Sequence, residues 1–60
     1  MKNTFVTRIN DNDGHLISVR VKFDNKFNIV STTDLNDNPI VPSAYDIYII
    51  LERIIDYVSN

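Results

Sequence analysis

The sequence predicts an α+β fold: a three-stranded antiparallel β-meander followed by one C-terminal α-helix packed on one sheet face (β-β-β-α). Three observations lead there. Two stretches alternate apolar and polar residues with a period of two, and an Asp-Gly step stands between them. A long stretch from Ser43 to Val58 then carries apolar residues at helical spacing.

The first strand is expected at about 3–10, with Phe5, Thr7 and Ile9 on one side and Thr4, Val6 and Arg8 on the other. Asp11-Asn12-Asp13-Gly14 is a turn signal, glycine accepting the positive φ that a tight hairpin needs. A second strand at about 15–23 places Ile17, Val19, Val21 and Phe23 on one face and Leu16, Ser18, Arg20 and Lys22 on the other. Parity sets the register. A loop Asn12–Gly14 pairs Ile9 with Ile17, Thr7 with Val19 and Phe5 with Val21, which keeps every large apolar residue together. By the same logic a loop Asp24–Lys26 pairs Phe23 with Phe27 and Val21 with Ile29, with Gly14 suited to the left-handed position of the first loop and Asn25 to that of the second. A third strand then runs over about 27–32.

Residues 33–42 read as a linker, rich in Asp, Asn, Thr and Pro, in which Ile40 and Val41 can form a short edge strand. Ser43 is a helix N-cap, and the helix spans about 44–58. Asp46 sits at the positive end of its dipole. At about 100° per residue, Ala44, Ile47, Tyr48, Leu51, Ile54, Ile55 and Val58 share the stripe expected to face the sheet. That leaves Tyr45, Ile49, Ile50 and Tyr57 on another side. Either the linker folds back over them, or they form an interface. An interface there would use Ile49, Ile50 and Tyr57 with Arg53 and the acids Asp46, Glu52 and Asp56.

Sixty residues make one small domain, expected to bury only about 60 % of its unfolded surface. With no cysteine there is no disulfide or thiolate to strengthen it, and association with a copy of itself or a partner is the remaining remedy. A homodimer is therefore expected. Absence of cysteine also fits a reducing cytoplasm. Nothing reads as a signal peptide, and the apolar run Ile47–Leu51 is far too short to cross a membrane. Charge is unevenly placed, with five Lys/Arg against three Asp in residues 1–30 and one Arg against five Asp/Glu in residues 31–60.

Catalytic chemistry is sparse. His15 is the only histidine, it lies at a turn, and the serines have ordinary roles as strand, cap or terminus residues. Asp11-x-Asp13-Gly14 fails as an EF-hand loop, because that pattern would make Ile9 the first ligand and Arg20 the last. A single glycine allows no phosphate-binding loop. No enzyme, metal or cofactor is expected. The face carrying Arg8, Arg20 and Lys22 could meet nucleic-acid phosphates, although it has no aromatic residue to stack a base.

The Asp-Gly hairpin followed by a helix is loosely similar to small antitoxins of toxin–antitoxin pairs. The size, the nine Ile and eight Asn of an AT-rich usage, and the lack of catalytic groups resemble small phage-encoded inhibitors of host proteins. The expected function is a non-enzymatic binding protein that inhibits or modulates a macromolecular partner through protein–protein contacts. The alternatives are a nucleic-acid-binding module or an antitoxin-like regulator.

Overall fold

One turn, used three times, shapes the sheet. In the computed structural model, which describes residues 3–11 and 13–59, β1 (Thr4–Asn10), β2 (Leu16–Phe23) and β3 (Ile29–Thr33) form one antiparallel sheet in the order β1-β2-β3. The turns begin at Asp11, Asp24 and Asp34. In each, the Asp N–H donates to the carbonyl four residues on, at 2.8, 2.9 and 2.9 Å. The Asp carbonyl accepts from the N–H three residues on, at 3.1, 3.0 and 3.1 Å. Its Oδ1 takes the N–H groups of the second and fourth following residues, all within 2.8–2.9 Å. The residue three places after each Asp lies in the left-handed region: Gly14 at φ 82°, Phe27 at 66° and Asp37 at 67°. These are five-residue turns that close the backbone and use one carboxylate as an internal clamp. Asn12, inside the first of them, lies outside the described residues.

The first hairpin has the expected register, with Ile9 opposite Ile17, Thr7 opposite Val19 and Phe5 opposite Val21. The second does not. Phe23 pairs with Ile29 rather than Phe27, and Val21 with Thr32 rather than Ile29, through an irregularity between Lys22 and Phe23. Hydropathy assigns Phe27 to a strand, but the Asp24 clamp reaches as far as the Asn28 N–H and so holds Phe27 inside the turn. β3 therefore starts two residues after the expected position. The left-handed residue is Phe27, not Asn25, a conformation that costs a side-chain-bearing residue about 1–2 kcal/mol.

The third turn folds the linker back along β3. Thr33 bridges to Pro39, the Ile40 N–H donates to the Thr32 carbonyl at 3.0 Å, and the Thr32 hydroxyl donates to the Ile40 carbonyl at 2.6 Å. This brings Ile40 against the core, while Leu35 and Val41 stay exposed. The core joins Ile9, Val19, Val21 and Phe23 of the sheet to Ile50 and Ile54 of α1 (Ala44–Ser59). α1 runs antiparallel to β1. Tyr57 near its end stacks on Phe5 at 5.2 Å, and Ser43 and Asp46 at its start lie beside Ile9–Asp11.

The three turn carboxyls all sit below their ordinary value of 3.8. The main cause is the N–H four residues on (His15, Asn28, Asn38), opposed by partial desolvation. Folded values below unfolded ones mean that the stabilisation is fully present above 3.8 and is lost as pH falls through the folded values. Urea midpoints should thus be flat above about pH 5 as far as these groups decide, and should drop below it. The triple variant Asp11→Asn, Asp24→Asn, Asp34→Asn keeps an accepting oxygen but does not titrate. Its acid slope should be shallower, and an unchanged slope would place the acid sensitivity elsewhere.

Candidate interaction surface

The start of α1 is fixed locally. The Ser43 carbonyl accepts from the Ile47 N–H at 2.9 Å, and Ser43 Oγ accepts from the Asp46 N–H at 3.2 Å. The Ser43 hydroxyl in turn donates to Asp46 Oδ2 at 2.9 Å. This is the expected N-cap, and Asp46 completes it.

The face that α1 turns to the sheet is a correction to the sequence reading. Ile50 and Ile54 are both 0 % exposed, and Asp46, Ile50, Ile54 and Tyr57 form the inner line. The expected inner stripe is instead largely in solvent, with Tyr48 62 % and Ile55 56 % exposed and Ala44, Ile47 and Leu51 also open. At 100° per residue the helix is turned by about 100° from that reading, with Ile54 common to both faces and Val58 still packed against the core. A physical reason lies in the tyrosines. Seating Tyr48 inward would take its hydroxyl out of water, a cost that the observed face, with Tyr48 62 % exposed, does not incur. The inner line instead puts two isoleucines on the sheet and lays the half-exposed ring of Tyr57 flat on Phe5.

Of the residues expected to meet a partner, Ile50 is therefore core. Tyr57 is held by Phe5 and, edge-on at 6.2 Å, by Phe23. Ile49 is half-buried and Asp46 is buried in the cap, while Glu52, Arg53 and Asp56 are exposed. The surplus apolar surface exists, but on Ala44, Ile47, Tyr48, Leu51 and Ile55. The four residues Ala44, Tyr48, Leu51 and Ile55 are spaced by 4, 3 and 4 residues, which is the spacing of a helix–helix seam.

On the open sheet face Arg8, Arg20 and Lys22 alternate in register as expected, opposite Ser18, Val6 and Thr4. Arg20 is engaged by Asp37 of the third turn at 2.6 Å. That pair weakens the face as a phosphate contact, and Val6, Leu16 and Val30 leave it part apolar.

Asp11, Asp13 and His15 bring one donor atom each within 4.8 Å of one another. Asp11 Oδ1 already accepts two backbone N–H groups, and His15 Nδ1 is 3.8 Å from Asp11 Oδ2. Turn chemistry accounts for this group. A hollow of about 320 Å³ opens between the end of β1, the start of β2, the linker and the helix cap. Ile9, Ile17, Ile40, Val41 and Pro42 wall it, together with the polar residues Asn10, Asp11, Ser43 and Asp46. Among the described residues, no helix is long and apolar enough to cross a membrane. No protein-family model, curated protein or solved structure matches the chain.

Proposed function

We propose that this chain is a non-enzymatic, cytoplasmic binding protein that modulates a macromolecular partner through protein–protein contacts, and that its contact surface is the exposed flank of α1. The observation that supports this reading is the open seam Ala44–Tyr48–Leu51–Ile55 beside a fully used inner line.

An apolar helix fits such a flank, and a second copy supplies one, so a homodimer is the simplest assembly. Glu52 borders the seam, and an antiparallel pairing separates it from its own copy while opposing the helix dipoles. A foreign partner would present an apolar helix to the same residues.

Sedimentation equilibrium across a dilution series tests this. The expected mass is twice 6.9 kDa. Leu51→Glu should return it to that of one chain without changing the circular dichroism. A wild-type chain that stays monomeric, and whose Leu51→Glu variant captures the same proteins as the parent, would overturn the reading.

A further inference from the structure

The hollow at the helix cap has chemistry that the flank does not use. Asp46 lines it and is only 8 % exposed, so its carboxylate is held at the edge of an apolar wall. Its Oδ2 accepts from the Ser43 hydroxyl. Its Oδ1 accepts from no described residue and is not among the atoms sealed from solvent, and Asp46 is one of the residues that line the hollow. No Lys or Arg lies within ion-pair distance of Asp46 among the described residues. A buried carboxylate with one oxygen spare calls for a donor of opposite charge. Asp11 also lines the hollow and adds a second negative charge, and among the described residues no Lys or Arg lines it.

We infer that this hollow binds a primary alkylammonium group, with the ammonium on Asp46 Oδ1 and the alkyl chain against Ile9, Ile17, Ile40 and Pro42. The volume of about 320 Å³ falls at the lower end of small-ligand sites, which run from roughly 300 to 1,000 Å³. An ammonium fits better than a guanidinium. The guanidinium fork is suited to both oxygens of a carboxylate, and Ser43 already occupies one of them. A hydrated metal ion would leave the apolar wall unused. The ammonium can belong to a lysine side chain of a protein partner or to a free aliphatic amine. The carboxylate also offsets the helix dipole, which by itself would repel a cation.

The test is a titration of the full ¹⁵N-labelled chain with n-butylammonium chloride, and with n-butanol as the neutral counterpart of similar length. Butylammonium should shift the amides of Asn10, Asp11, Ser43 and Asp46 with a Kd on the order of millimolar, as suits so small a ligand. Butanol should bind at least about tenfold more weakly, in line with the loss of a charge-assisted hydrogen bond. Asp46→Asn should weaken butylammonium by a similar factor. Asn10→Lys, which leaves the cap intact and places an ammonium on the rim, should weaken it too and decides the matter if Asp46→Asn does not fold.

Equal binding of butanol, undiminished binding by both variants, or the same shifts with magnesium chloride would overturn the assignment. Nα-acetyl-lysine methylamide binding more tightly than butylammonium supports a protein lysine, and putrescine binding more tightly supports a free amine. Leu51→Glu should bind butylammonium as the parent does, so the site and the helix flank can fail separately.

Discussion

Ile50→Asp should leave the chain unfolded at room temperature, whereas Leu51→Asp, one residue on, should leave it folded. Ile50 is wholly enclosed with Ile9, Val19, Val21, Phe23 and Ile54. Removing such a side chain costs about 2–5 kcal/mol, and an unpaired carboxylate in its place adds several more. The total stability of a chain this size is on the order of 3–9 kcal/mol, so the loss exceeds what is there. Leu51 lies on the open flank, and its replacement costs about 1 kcal/mol in helix propensity and partial burial. Far-ultraviolet circular dichroism and amide dispersion distinguish the outcomes. A folded Ile50→Asp beside an unfolded Leu51→Asp would mean that α1 presents the opposite face to the sheet.

Phe23→Ala carries the next largest effect, about 3–5 kcal/mol, enough to leave the domain marginal or unfolded. Phe23 is 2 % exposed and meets Phe5 edge-on at 6.0 Å and Tyr57 edge-on at 6.2 Å. It thus joins the start of β1 to the last turn of α1. Tyr57→Ala should cost less, about 1–2 kcal/mol, because Tyr57 is already 41 % exposed. Urea titration of Phe5→Leu, Tyr57→Ala and the double variant should show a coupling of about 0.5–1.5 kcal/mol between the stacked rings. Strict additivity would mean that the stack contributes no more than its area. A Tyr57 variant that lost partner binding with unchanged stability would return this residue to the contact surface.

The hairpins show where sequence reading succeeds and where it stops. Parity placed Ile9 on Ile17 because a one-residue slip would expose half the apolar face, and a single glycine marked the left-handed position. The second hairpin carried its signal in the spacing Asp24 to Asn28, which repeats that of Asp11 to His15 and recurs from Asp34 to Asn38. Hydropathy obscured it, since Phe27 is apolar and reads as strand. The same repeat explains how the linker turns back and delivers Ile40 to the core, where composition shows only a polar connector. The flank of α1 was legible as surplus apolar surface, but not its position. The hollow was not legible at all, because its walls come from four separate parts of the chain.

Local chemistry alone therefore determined the element order, the first register, the Ser43 cap and the presence of more apolar helix surface than one sheet can cover. These depend on neighbours in sequence: a period of two, a turn residue, a hydroxyl three residues before an N–H. Which side of α1 is buried was decided only by the tertiary structure. Apolar residues lie on nearly every side of that helix, so periodicity gives several faces of similar hydrophobicity. The choice among them falls to contacts between distant residues, Tyr57 stacked on Phe5 and Ile50 and Ile54 set on the sheet, while Tyr48 keeps its hydroxyl in water.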